Sequence, residues 1–206
     1  MPAPRDMSFY RYDESHRFAA EYPRLARQVV ADFELTQGLC LDLGTGGAAL
    51  AIEMAKLTRM RFVGVDNNAG ALGLARENGQ RHGVTSQRLS LVAVDVHALP
   101  LAAGSVDFVI SRGSIPFWAD RSRVLAEVHR VLRPDGRTFI GCGFSRDQPQ
   151  EAVEKMRPAW AREDSDDERM RWRDPDVLRG ILEAAGVETY LIMRQPGYGH
   201  WIDIRK

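Results

Sequence analysis

The segment Leu39-Cys40-Leu41-Asp42-Leu43-Gly44-Thr45-Gly46-Gly47 constrains the fold more than any other stretch of the chain. A short apolar run that ends in an acid and a cluster of glycines reads as a buried strand handing over, through a tight turn, to a helix. Glycines tolerate positive φ and let backbone amides approach a ligand closely, so such a turn can wrap a small molecule where larger residues would clash. The next apolar run, Arg61-Phe62-Val63-Gly64-Val65-Asp66, ends in a second acid. It falls about twenty residues after the first glycine, where a nucleotide-binding turn is followed by its ribose-binding acid.

Apolar runs of strand length recur along the chain and alternate with helical patterns. Strands are expected at 39–42, 61–66, 89–95, 106–111, 138–142, 189–194 and 201–204, and helices at 48–56, 69–79, 121–132 and 175–185. This alternation predicts an α/β fold, a mostly parallel sheet covered by helices on both faces. Asp174 as N-cap, Pro175 as first helical residue and Gly186 just past the end bracket the last helix. Before the first strand, Tyr10, Tyr12, Phe18 and Tyr22 punctuate a polar segment, and an amphipathic helix over 23–33 opens at Pro23. After residue 145 come a helical pattern at 150–162 and the charged run Arg162-Glu163-Asp164-Ser165-Asp166-Asp167-Glu168-Arg169. Such a run forms a solvated connection, whereas the embedded Trp160, Met170 and Trp172 suit a lid. The expected organisation is one domain over 1–206: a helical cap (1–36), a ligand-binding core (37–145), an insertion or lid (145–174) and a closing helix and hairpin (175–206).

Composition narrows the class of partner. The 206 residues are 44% hydrophobic, enough for one sizeable core. Twenty-eight basic and 28 acidic residues cancel, which points away from a nucleic-acid or anionic-membrane partner. No apolar stretch approaches the ~20 residues of a membrane span, and the first residues lack a signal-peptide core. Cys40 and Cys142 sit in apolar runs, where buried free thiols are expected rather than a disulfide, so a cytoplasmic setting is expected.

Asp42 narrows the choice of ligand. Two residues before the first glycine, it would repel a pyrophosphate seated on the helix N-terminus and attract a cofactor with cationic groups. With that acid and the alternating Gly44 and Gly46, the sequence resembles the class I S-adenosylmethionine-dependent methyltransferases, in particular their type 11-like domains. Ala48 stands where a third glycine is usual. The resemblance continues through Val92-Ala93-Val94-Asp95-Val96-His97 and through Glu127-Val128-His129-Arg130-Val131-Leu132-Arg133-Pro134-Asp135-Gly136, and covers about residues 38–145. It implies a Rossmann-like, doubly wound sheet of seven mostly parallel strands with an antiparallel last strand. It also implies that Asp42, Leu43, Gly44, Thr45 and Gly46 hold the methionine part of S-adenosylmethionine, Asp66 and Asn67 the ribose, and Asp95 and Val96 the adenine, with a backbone contact from Ser111. Taken singly, Asp66 equally suits a cap on the helix beginning near Asn67, and Asp95 a strand end.

The acceptor side carries fewer signals. Ser111-Arg112-Gly113-Ser114-Ile115-Pro116-Phe117-Trp118 lacks the acid or amide, two prolines and aromatic residue found in methyltransferases of base amino groups. It also lacks the strand-end acid with which catechol methyltransferases hold magnesium, so no catalytic metal is expected. Arg112 presents an always-charged fork suited to a carboxylate or phosphate, or equally to a structural acid. The connection Gln195-Pro196-Gly197-Tyr198-Gly199-His200 is expected at the same sheet edge as the glycine turn. Tyr198 and His200 therefore join Arg112 as catalytic candidates, His200 because it titrates near neutrality and can take a proton. Tyr10, Tyr12 and Trp118 complete the substrate-facing set. The expected reaction moves a methyl group from S-adenosylmethionine to a small-molecule, possibly anionic acceptor and releases S-adenosylhomocysteine. A protein or RNA acceptor, a nicotinamide-dependent oxidoreductase and a non-catalytic cofactor-binding protein are the alternatives.

Overall fold

The computed structural model describes residues 7–162 and 165–206. Among them, β1 (Leu39–Leu43), β2 (Arg61–Asp66), β3 (Leu89–Ala93), β4 (Val106–Arg112) and β5 (Leu132–Gly143) pair in parallel. β6 (Tyr190–Gln195) and β7 (Gly199–Ile204) form a hairpin, and β7 lies antiparallel against β5. The order across the seven-stranded sheet is β3-β2-β1-β4-β5-β7-β6. This is the α/β, Rossmann-like arrangement expected from the alternation of patterns. From β1 the chain winds outward to β3 and then returns to the other side of β1, so the carboxyl ends of β1 and β4 part around a crevice.

Strand residues alternate between the two faces. Cys40, Phe62, Phe108, Ile110 and Trp201 pack on one side with α1 (Glu21–Asp32), α2 (Ala49–Leu57) and α3 (Ala69–Arg81). Leu41, Val109, Ile140 and Ile202 pack on the other with α4 (Arg121–Val131) and α6 (Pro175–Ala184). Cys40 and Cys142 are free thiols. Three of the helices, α3, α4 and α6, start where a side chain satisfies their first amides: Asn68 accepts from Gly70 and Ala71, Asp120 from Arg123, and Asp174 from Asp176 and Val177.

Some boundaries depart from the expected ones. β5 begins at Leu132, directly out of α4, because the chain end zips onto it: Asp135 N–H donates to Lys206 O and Lys206 N–H to Gly136 O. The helix expected over 150–162 stops early as α5 (Gln150–Met156), since Pro158 disfavours helical backbone at Arg157. A 3-10 turn, Ala159–Ala161, follows. Met170 and Trp172 are buried in the core beside α6, Trp172 being 1% exposed, whereas Trp160 faces the crevice. In the charged run, Arg169 pairs with Asp167 and Arg171 with Glu168, while Glu163 and Asp164 lie outside the described residues, as do residues 1–6 of the expected cap. No helix among the described residues is long and apolar enough to cross a membrane.

Candidate active site

The turn after β1 alternates left-handed backbone at positions 44, 46 and 48, with φ of 65° at Gly44, 52° at Gly46 and 58° at Ala48. At Gly44 the need is double, since a Cβ there would also sit 2.5 Å from Ser114 Cβ. Ala48 adopts the same conformation with a side chain, at a cost of about 1 kcal/mol. Its methyl is fully buried in the core beneath α2. The alternation the resemblance attributes to three glycines is therefore a property of the backbone, which this chain keeps without the third.

Two acids tie the turn down. Thr45 N–H donates to Val65 O at 3.0 Å, and the Thr45 hydroxyl donates to Asp42 Oδ2 at 2.6 Å. Gly46 N–H donates to Asp66 Oδ2 and Asn68 N–H to Asp66 Oδ1, both at 2.9 Å. Asp66 thus staples the turn to β2, while Asn68 caps α3. Burial pushes the Asp42 carboxyl up to about 7 against the pull of the Thr45 hydroxyl, and the neighbouring Asp66 adds to the rise. A cation beside Asp42 would restore its charge. Asp95 accepts from His97 N–H at 2.9 Å and contacts His97 Nδ1. Because His97 Nε2 accepts from Asp120 N–H at 3.1 Å, the ring proton sits on Nδ1 and points at Asp95. These bonds from His97 hold the Asp95 carboxyl below its usual range.

Asp42, Asp66 and Asp95 line a cavity of about 640 Å³. Gly44, Thr45, Gly46, Asn67 and Val96 line it with them. Three carboxylates around a glycine turn suit a ligand with cationic groups and adjacent hydroxyls, which is the donor set S-adenosylmethionine requires. Leu43 and Ser111 are fully buried behind this wall. Ser111 Oγ donates to Leu43 O at 2.8 Å, Ser114 Oγ lies 3.0 Å from the same carbonyl, and Trp118 Nε1 donates to Ser114 Oγ at 2.9 Å. The SRGS segment therefore clamps the end of β4 to the glycine turn, and Ser114, which the motif reading passed over, is its pivot.

Arg112 lines the same cavity, among Phe18, Tyr22 and Phe144. Tyr10 and Trp118 line the cavity as well. Tyr12 reaches the lining but is buried, with its hydroxyl donating to Glu53 at 2.9 Å. Asn78, fully buried on α3, latches the cap: its Nδ2 donates to Tyr10 O and Gly47 O, and its Oδ1 accepts from Tyr12 N–H. The cap approaches so closely that a Cβ on Gly47 would sit 2.1 Å from Tyr10 O. Two candidates are not brought to the cavity wall. Tyr198 packs against Phe18, Phe144 and Val153, and His200 lies beside Trp172 in a separate cleft with Asp167, Glu168, Arg173 and Arg194. The hairpin tip does reach the predicted edge, but Tyr198 sits in the turn and packs beneath Phe18 and Phe144, while His200, on β7, faces the side of the sheet that carries Ile202. Phe18, Tyr22 and Arg157 do line it. The spacing of Phe18 and Tyr22, four residues apart ahead of Pro23, was the available signal for two of them.

The profile of a family described as "Methyltransferase domain" matches residues 41–140, the stretch that holds all three acids. A crystal structure of a candidate S-adenosyl-L-methionine-dependent methyltransferase from Methanococcus maripaludis superposes with a TM-score of 0.81 and 28% identity, covering 92% of this chain and 87% of that one. The chain belongs to the class I S-adenosylmethionine-dependent methyltransferases. Relatives with curated names agree. This methyltransferase is 34% identical over 105 residues to a ubiquinone/menaquinone biosynthesis C-methyltransferase of Geotalea uraniireducens, which amounts to 50% of this chain and 44% of the relative. It is 32% identical over 131 residues to a malonyl-[acyl-carrier protein] O-methyltransferase of Geobacter sulfurreducens, 59% of this chain and 48% of the relative. The chain thus spans less than half the length of these curated relatives. The relatives named here are methyltransferases, and none of them is an oxidoreductase.

Proposed function

We propose that this methyltransferase transfers the methyl group of S-adenosylmethionine to a small organic acceptor and releases S-adenosylhomocysteine. The observation that supports this most is that one cavity is lined both by the acids with the glycine turn and by aromatic rings with arginines. Its volume of about 640 Å³ lies within the range of small-molecule sites, and the latched cap covers it as a lid covers a compact ligand.

When bound, S-adenosylmethionine supplies a methyl group on a cationic sulfur, already activated for displacement. Asp42 and the turn from Gly44 to Gly46 are assigned to its methionine part, Asp66 and Asn67 to the ribose, and Asp95 and Val96 to the adenine. The Thr45 hydroxyl holds Asp42 and the Gly46 N–H holds Asp66 at their posts, so little is left to reorganise on binding. With an activated donor, the remaining tasks are to hold the acceptor in line and to exclude water, and both fall to the ring-lined wall beside Arg112 and Trp118. Tyr198 and His200 do not line the cavity, so the proposal gives them no proton-transfer role.

The test begins with calorimetric titration of S-adenosylhomocysteine into the folded protein, which is expected to bind. Incubation with methyl-labelled S-adenosylmethionine and a fractionated cell extract follows. Label entering the small-molecule fraction is the expected result; label confined to protein or RNA, or entering nothing, overturns the proposal.

A further inference from the structure

Among the described residues, no carboxylate forms an ion pair with Arg112, which lines the cavity among aromatic rings. The Arg112 guanidinium sits 4.5 Å from the Phe18 ring centroid, 5.1 Å from that of Tyr22 and 5.4 Å from that of Phe144. Such rings favour a cation over the ring face and leave its edge available for hydrogen bonds. Nε donates to Gly143 O at 3.1 Å and Nη1 to the Tyr22 hydroxyl at 3.4 Å. A guanidinium carries five N–H donors, so three find no acceptor among the described residues.

Glu21, at the start of α1, feels the Arg112 charge but makes no ion pair with it. Glu21 is fully buried, and its Oε1 accepts from Ser145 N–H. Burial pushes its carboxyl up to about 7, with Arg112, the Ser145 amide and Arg24 pulling the other way, so near neutral pH it carries only part of a charge.

A second cation stands close by. Arg157, just beyond α5, lies 5.4 Å from the same Phe144 ring and also lines the cavity. Its nitrogens donate to the carbonyls of Ala161 and Gly197 rather than to a carboxylate. Two guanidiniums sharing one ring in a partly desolvated pocket repel each other, and an anion between them would relieve that repulsion. Phe117 and Trp160, also in the lining, meet edge to face at 5.6 Å under the Arg169 guanidinium, with Phe117 60% exposed, and their ring surface toward the cavity offers a wall for the body of a ligand.

We propose that the acceptor is an organic anion, a carboxylate or phosphate ester on a ring-sized apolar body. Its anionic group docks on the open edge of Arg112 with Arg157 as the second charge, and its body lies toward Phe117 and Trp160. The assignment rests on the methyl-transfer reading of the same cavity and names its substrate class. Acids are assigned to the cofactor and arginines to the acceptor, so the pocket's own field orients the two ligands.

The experiment titrates protein saturated with S-adenosylhomocysteine with 4-hydroxybenzoate, phenyl phosphate and the neutral 4-hydroxybenzamide. At least one anion is expected to bind about tenfold or more tightly than the amide, the difference made by a charge-assisted fork, and the ranking of the two anions tells carboxylate from phosphate. Arg112→Met is expected to abolish the preference while S-adenosylhomocysteine affinity is kept. Arg112→Lys, which keeps the charge without the fork and covers the case of a misfolded methionine variant, is expected to keep part of it. Equal binding of acid and amide, no binding of either anion, or a preference unchanged in Arg112→Met or undiminished in Arg112→Lys overturns the anion site even though the cofactor product binds. Failure of S-adenosylhomocysteine to bind to folded protein is the distinct outcome that overturns the methyl-transfer reading, and the anion site with it.

Discussion

Replacing Asp42 with asparagine is expected to stabilise the free protein at neutral and alkaline pH while impairing cofactor binding. Asp42 is 4% exposed, and burial holds its carboxyl at about 7 against an ordinary 3.8. Below that ordinary value the group is protonated in both the folded and the unfolded chain and costs nothing. As pH rises toward 7 the unfolded chain gives up this proton and the folded protein keeps it, so stability falls across that window and levels off above it. From 3.8 to about 7, at about 1.4 kcal/mol per pH unit, the loss amounts to roughly 4 kcal/mol. Asparagine avoids it and can still accept from Thr45, but its amide N–H group needs a new acceptor, at a cost of about 1–2 kcal/mol. The net gain above pH 7 is then about 2–3 kcal/mol, or roughly 5–10 °C in Tm for a chain of this size, and near pH 4.5 the ranking inverts. Glu21, also pushed up to about 7, is common to both proteins and cancels in the comparison. Thermal melts of both ligand-free proteins from acid to alkaline pH read the effect directly. Loss of a charge-assisted contact should weaken S-adenosylhomocysteine binding by about 10–100-fold. A stability difference that does not vary with pH, or a variant less stable than the parent at pH 8, would refute the reasoning.

Three further outcomes follow from the same site. S-adenosylmethionine binding near pH 6.5 is expected to release protons, because a bound cation ionises Asp42; calorimetry in buffers of different ionisation heat measures this, and heats independent of buffer would contradict it. Gly44→Ala forces a side chain into left-handed backbone and against Ser114, so binding of S-adenosylhomocysteine should fall by at least tenfold, roughly 1.4 kcal/mol, in the same titration. Asn78→Leu fills the space but removes the three bonds that latch Tyr10, Tyr12 and Gly47, at about 1–3 kcal/mol for each buried group left unpaired. Faster tryptic cleavage at Arg11 and Arg17 is the expected sign of a released cap, and an unchanged digestion pattern would count against the latch.

The legible parts of the fold were those written in local periodicity. Each expected strand has its counterpart, because a buried parallel strand must be an apolar run and its neighbours must be turns. Asp174 and Pro175 marked the start of α6 to the residue, since capping chemistry is local. The helix expected over 150–162 ends at Met156, because Pro158 restricts the backbone of the residue before it whatever the side-chain pattern beyond. Met170 and Trp172 suggested a lid from composition alone; only their packing against the sheet shows that they are core.

The grouping of the glycine turn with its acids was similarly readable, because Asp42, Gly44, Gly46, Asp66 and Asp95 sit at or just past strand ends, where position in sequence dictates position in space. The surroundings of Arg112 were not. Arg112 faces the cavity from a strand end, but its cage comes from Phe18 and Tyr22 before β1 and from Phe144 after β5. His200 carried suitable chemistry on the predicted edge and faces another cleft, because one step along a strand reverses the direction of a side chain.

By itself, then, the sequence determined the sheet, the left-handed turn and the acids at its rim, all consequences of contacts between near neighbours and of backbone sterics. Only the tertiary structure decided that Ala48 takes the third glycine's conformation, that Asn78 locks the cap, and that Arg112 and Arg157 both approach the Phe144 ring. Those depend on residues far apart in the chain meeting in a close-packed interior, where burial rather than residue type sets both charge and direction.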